Sequence, residues 1–259
     1  MKYLNTLKAE IILHLKDSFS YKVGIFNDIL IFGVLYFSLV FMGTGYSLAS
    51  SYGSTTADSN TLLLIGYVFW SLSLSAINSA STRIASEATK GTLEQKFMAI
   101  VPIQWLLLGQ FISSITVEVV VCIIISLAAF LFIGTKIIIN GTIIISLILT
   151  LIGMFGIGLI LGAVALKEKK IGNIIFLIQI FLLFVSDTLT TNNFLPNINK
   201  VLPLTNGIDV ARKAAANSSV TGQDWLILIT SSLLWLAVGY IVFTLASRYV
   251  KRKGLLSDY

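Results

Sequence analysis

Long apolar runs broken by short charged segments constrain this chain more than any other feature. Six are legible, at about Gly24 to Met42, Thr61 to Arg83, Trp105 to Ile133, Thr142 to Leu166, Ile171 to Thr188 and Trp225 to Ser247. Each comes close to or exceeds the ~20 residues with which a helix crosses ~30 Å of hydrocarbon. Lipid offers the backbone no hydrogen-bond partners, so runs of this length are expected as helices. Composition agrees: 56% of residues are hydrophobic and 12% charged, at a mean hydropathy of +0.91, where soluble domains carry about a quarter charged residues. The expectation is an all-α integral membrane protein with six transmembrane helices. Cys122 is the single cysteine, so no internal disulfide supports the fold.

Charge sorting sets the orientation. With the N-terminus inside, fourteen of the eighteen Lys and Arg residues fall on the cytoplasmic side, leaving Lys136, Lys200, Arg212 and Lys213 outside. Basic residues accumulate in cytoplasmic loops, which places both termini in the cytoplasm. The net charge of +6 therefore reads as topology and not as nucleic-acid binding.

Residues 1–22 precede the first run. Leu4, Leu7, Ile11, Ile12, Leu15 and Phe19 recur every three or four positions, as in an amphipathic helix lying at the cytoplasmic interface, with Lys2, Lys16 and Lys22 on the basic side. Lys8 interrupts the stripe and Leu13 falls opposite it. A secretory signal is rejected, because the apolar run from Gly24 to Met42 exceeds the roughly 7 to 15 residues of a signal core.

The long charged segment between two apolar blocks runs from Arg83 to Trp105, RIASEATKGTLEQKFMAIVPIQW. Gly91 offers a break, and Thr92 with Gln95 three residues on has the form of a capping box for a helix starting at Leu93. Pro102 then stops it, giving a helix of about two turns with Leu93, Phe97 and Ile100 on one side. The order Glu87, Lys90, Gly91, Thr92, Leu93, Glu94 resembles the cytoplasmic segment after the second membrane helix of type-two ABC exporter permeases. The resemblance implies that residues 84–104 form a coupling segment docking on a separate ABC ATPase subunit.

Residues 189–224 carry a second point of similarity. Pro203, Leu204 and Thr205, followed by Arg212, resemble the P-L-T and downstream helical Arg found between spans five and six in that family, where short helices dip into the outer leaflet. Phe194, Leu195, Val201, Leu202 and Leu204 suit entry into the leaflet, and Arg212 and Lys213 are expected at lipid headgroups. Asn206-Gly207 stands where an aromatic residue is often found. The resemblance further implies a single transmembrane domain over residues 1–259, in a bacterial cell membrane, paired with a second permease protomer as a homodimer or a heterodimer. Dimer contacts through spans one and five would make Ile174, Phe176, Ile180 and Phe184 interface residues. The drug and antimicrobial-peptide branch is the nearer likeness, with a hydrophobic or amphipathic cargo.

The sequence contains no G-x-x-x-x-G-K-[ST] phosphate loop, so ATP and Mg²⁺ are expected on the partner subunit and no cofactor on this chain. One His and one Cys make no tetrahedral metal set, and no catalytic residues are assigned. His14 is expected as an interfacial side chain. Three carboxylates fall in or at the apolar runs: Asp28, Glu118 and Asp187. Glu118 is the deep one, expected to pair with Asn78 or Ser79 at a helix contact or to line a pathway with Asn78. Gly153, Gly156, Gly158 and Gly162 include a G-x-x-x-G pair suited to close helix approach. Two other classes stay open, a proton-coupled secondary carrier using Glu118 and a non-transporting scaffold or immunity protein.

Overall fold

The computed structural model describes residues 2–54, 57–99, 101–168, 172–189 and 199–253. Among them every regular element is helical. The helices are α1 (Lys2–Ser20), α2 (Lys22–Phe41), α3 (Leu48–Ser51), α4 (Ser59–Thr89), α5 (Leu93–Phe97), α6 (Ile103–Ile133), α7 (Gly141–Glu168), α8 (Gly172–Val185), α9 (Pro203–Ala215) and α10 (Gly222–Lys253). A 3₁₀ turn, Asn199–Val201, leads into α9.

Five helices are long and apolar enough to cross a membrane: Lys22–Phe41, Ser59–Ala88, Ile103–Ile133, Gly141–Lys167 and Gly222–Arg252. The fifth apolar run forms a helix of only 14 residues, Gly172–Val185, about 21 Å at 1.5 Å per residue. After it the backbone bends, with Asp187 in the left-handed region at φ 56°. The second run overshoots its expected end: α4 continues to Thr89 and takes Glu87 into the helix. The third begins at Ile103 immediately after Pro102, which serves as its N-terminal boundary.

The most deeply buried span is α4. One side packs on α7 and the other on α6, while α10 covers the far side of α7 and α9 lies across α4, α7 and α10. Glycine makes the α7 contacts possible. A Cβ on Gly239 of α10 would stand 2.7 Å from the Gly156 carbonyl carbon, and one on Gly158 would stand 2.9 Å from the Ile77 carbonyl oxygen of α4. The glycines of α7 therefore serve two neighbours, Gly156 facing α10 while Gly158 and Gly162 face α4. α2 packs on the rim of this core through one apolar face, including Ile25, Ile29, Phe32 and Leu35, with Tyr36 its one fully buried side chain.

Replacing Gly239 by Ala forces α7 and α10 apart. The expected result is a fall in melting temperature of roughly 5 °C or more, from an overpacking cost of ~1–3 kcal/mol. Gly141→Ala, with nothing within 4 Å of the new methyl, should melt with the wild type. Scanning fluorimetry in detergent compares the two.

Candidate functional site

Two helical turns bring opposite charges together at the end of the bundle that carries α1 and α5. On α1, Glu10 and His14 stand four residues apart and Nε2 of His14 donates to Glu10 Oε1 at 3.1 Å; a carboxylate only accepts, so that nitrogen carries the proton. On α4, Arg83 and Glu87 repeat the spacing, with Nε to Oε1 at 2.9 Å. Lys96 of α5 joins the pairs: its Nζ lies 2.9 Å from Glu10 Oε1 and 2.6 Å from Glu87 Oε1. Gln110 of α6 bridges the same oxygens through Nε2, at 3.1 and 3.4 Å. Two carboxylates are thus balanced by one lysine and one arginine, with four helices contributing.

Glu87 is 5% exposed, Gln110 3% and His14 7%. Burial by itself raises the Glu10 carboxyl; the hydrogen bonds from His14 and Lys96, the Lys96 charge and the Gln110 amide outweigh it and hold the group at about 2, below its ordinary 4.5.

α5 is gripped from a further side. Lys251 of α10 donates to the Phe97 carbonyl at 3.3 Å and sits 5.1 Å over the Phe97 ring. Leu93 and Phe97 point inward and are buried, while Lys90, Gly91, Thr92, Glu94, Gln95 and Met98 are exposed. The residues proposed for partner docking therefore divide. Glu87 and Leu93 hold the segment from within, whereas Lys90, Gly91, Thr92 and Glu94 form its outer face. Gly91 adopts φ +70°, the left-handed break that separates α4 from α5. The capping box does not form: Thr92 stands before Leu93 in a helical conformation and makes no side-chain cap, and its Oγ1 donates to the Glu87 carbonyl at 3.4 Å. The helix is also shorter than two turns, ending at Phe97; Ile100 lies outside the described residues.

A polar cavity of about 320 Å³ lies between α1, α2, α4 and α6, lined among others by Asp17, Asp28, Asn78, Arg83, Gln110 and Glu118. Glu118 is 8% exposed and accepts a hydrogen bond from Ser71 Oγ. The expected partners Asn78 and Ser79 do not supply it. Asn78 instead accepts from Gln179 of α8 at 3.1 Å, and Ser79 Oγ donates to the Ala76 carbonyl one turn back. The difference is one of depth along the helix, since Ser71 lies on the same face of α4 as Asn78 but two turns away. His14 likewise departs from its expected interfacial place, because the side of α1 carrying Glu10 and His14 packs toward α6.

At the opposite end, Pro203, Leu204, Thr205 and Arg212 of α9 are all buried. Arg212 is fully buried, where headgroup contact was expected. It donates through Nε to the Leu62 carbonyl at 3.0 Å, through Nη1 to Asp187 at 2.6 Å and through Nη2 to Thr188 at 2.6 Å. The first of these carbonyls lies in the opening turn of α4 and the other two in the bend after α8, and one planar guanidinium reaches all three. Leu204 also packs inside the protein and not against lipid, while Val201 is exposed. Lys213 is held by Asp209 at 2.7 Å and Asp224 at 2.9 Å. Phe194 and Leu195 lie outside the described residues. Ile174, Phe176, Ile180 and Phe184 of α8 are exposed.

Sequence reasoning did not assign Glu10, Lys96 or Gln110. The i, i+4 pairs Glu10/His14 and Arg83/Glu87 were available as a signal, but nothing in one sequence says that they meet.

Helices of this length and hydropathy, packed through glycine contacts around a polar interior, define a multi-pass α-helical membrane protein. The sequence model of the ABC-2 type transporter family matches residues 2–215, and the chain belongs to that family. Such domains are membrane components and not catalytic, and membership fits a permease subunit of an ABC exporter and implies an ABC ATPase partner. No curated protein matches the chain.

Glu10 gives the cluster a testable acid limb. Its folded value lies below its unfolded one, so its stabilisation is complete above about pH 4.5 and is lost as pH falls toward 2. Glu10→Gln is expected to melt lower than wild type at pH 7, with the difference shrinking as pH drops from 4.5 toward 2. A pH series of melting curves checks it; a constant difference would remove Glu10 from the cluster's energetics.

Proposed function

We propose that this chain is one half of an ATP-driven exporter, working as a dimer with two ATPase subunits that bind ATP and Mg²⁺. The observation that carries the reading is the setting of α5. Its inner face is clamped by α1, α4 and α10, with α6 tied to the same carboxylates through Gln110, and its outer face presents Glu94 beside Lys90, Gln95 and Met98. A force on that face moves four other elements, which is what a coupling helix requires.

In this reading both termini and α5 are cytoplasmic, which the distribution of basic residues supports. α8 with its flanking residues is the fifth of six spans, and residues 189–224, with α9, form the outer re-entrant segment. α1 lies along the inner interface with Leu4, Ile12 and Phe19, all exposed, toward lipid. The exposed apolar faces of α2 and α8, including Ile174, Phe176, Ile180 and Phe184, meet the second protomer, most simply an identical copy. The cargo is hydrophobic or amphipathic, in keeping with the drug and antimicrobial-peptide branch.

A second reading, a proton-coupled carrier, draws on the three carboxylates Asp17, Asp28 and Glu118 around one cavity. It requires flux without any ATPase.

Affinity capture from the native membrane tests the first reading. Wild-type chain should bring down an ATPase bearing a phosphate-binding loop, at about one copy per permease. Glu94→Arg should leave folding intact and either release the ATPase or separate ATP hydrolysis from transport. Recovery of the chain alone, or unaltered transport in Glu94→Arg that still binds its ATPase, counts against it.

A further inference from the structure

We propose that the cavity between α1, α2, α4 and α6 is a binding site for an amphiphilic ammonium cation. Its lining contains two basic side chains, and each is engaged by a carboxylate behind the wall: Arg83 by Glu87 and His14 by Glu10. The lining carboxylates have no such counterpart. Among the described residues Asp17, Asp28 and Glu118 have no cationic partner, and the one hydrogen bond Glu118 receives comes from a neutral hydroxyl, Ser71. Glu118, the buried one, is costly as an anion in that state unless a cation or a proton reaches it.

Gln110 supplies an independent pointer. Its side chain is 3% exposed and lines the cavity. Its Nε2 faces the carboxylates of Glu10 and Glu87, which fixes the amide orientation, because the reverse would set oxygen against oxygen. That leaves Oε1 buried with no hydrogen-bond partner. The cavity wall therefore carries carboxylates in excess of free cations, and the complement to such a wall is a positively charged donor group.

Size and shape select the kind of cation. Among the described residues no three of His, Cys, Asp or Glu converge closely enough to hold a metal ion, so the charge is spread along the cavity instead of focused at a point. A volume of about 320 Å³ accommodates an organic group of modest size. Phe32 and Leu74 give it an apolar flank. Asp17, Asp28 and Thr82 are exposed and mark the mouth, while Glu118, deepest along α6, marks the closed end. An ammonium entering past Asp28 meets successively more buried acceptors.

That this cation is cargo rests on the exporter reading; that the cavity binds it does not. The test uses the purified full chain in phosphatidylcholine nanodiscs, without ATPase or ATP, titrated with dansylcadaverine, a fluorescent primary ammonium. Saturable binding is expected. It should weaken about tenfold or more in Asp28→Asn, which alters an exposed residue, and in Glu118→Gln, which keeps the shape and an acceptor for Ser71. The double variant should not bind. N-acetylated dansylcadaverine, which is neutral, should not compete. Absence of saturable binding by folded wild type, equal binding by the double variant, or equal competition by the neutral analogue each overturns the proposal. Because no ATPase is present, a chain that recruits its ATPase yet fails here loses only this inference. A chain that binds the cation yet recruits no ATPase keeps the site and loses the exporter reading.

Discussion

The Lys96 ammonium between Glu10 and Glu87 is the contact on which the α1/α5 end of the molecule depends. Each carboxylate is nearly buried and would be expensive alone; Lys96 lies within 2.9 Å of both, and Gln110 closes the ring from α6. Loss of one partner of a buried ion pair leaves a charge without compensation, typically at ~3–5 kcal/mol. The cluster is therefore hard to open piecemeal. α1, the end of α4, α5 and the start of α6 are expected to move together.

At the other end Arg212 plays the corresponding part with backbone instead of carboxylates. It gathers the Leu62 carbonyl of α4 and the Asp187 and Thr188 carbonyls after α8 into one knot. Gly66 makes room for it: a Cβ there would stand 2.8 Å from the Thr188 carbonyl oxygen. α4 holds both knots. Its 31 residues span about 46 Å, with Glu87 near one end, Leu62 near the other and Ser71 between them on Glu118. A displacement applied at α5 would reach both the cavity and α9 through a continuous helix with no proline.

The long apolar helices were legible because lipid imposes a length that sequence displays directly; α6, for instance, ends at Ile133 as its apolar run does. The start of α5 at Leu93 and the break at Gly91 were also legible, since a left-handed position after a helix favours glycine. What sequence could not supply was the identity of the neighbour. The apolar periodicity of α1 announces a two-sided helix, but not that the side bearing Glu10 and His14 faces protein. Arg212 reads as a headgroup ligand from composition. It is an interior strut because three carbonyls from distant segments converge on it, and such convergence leaves no local signature. The capping box at Thr92 failed for a related reason. Glu87 already offers its carbonyl to that hydroxyl, and Gln95 faces outward while Lys96 occupies the interior.

These ties are unevenly distributed around the cavity. α1, α4 and α6 are locked to one another by the charge cluster, whereas α2 packs on the core through apolar side chains and contributes nothing to that cluster. Tyr67 Oη donates to the Phe32 carbonyl at 2.6 Å, and Phe32 packs edge-on against Trp70, but most of α2 is exposed. The wall that bears Asp28 is therefore the least constrained of the four. When the clamped elements shift as one body, α2 does not have to follow, and the distance between Asp28 and Glu118 becomes the coordinate that changes. In the exporter reading, a push on α5 would alter the cavity in this way without breaking the buried charge pairs that transmit it.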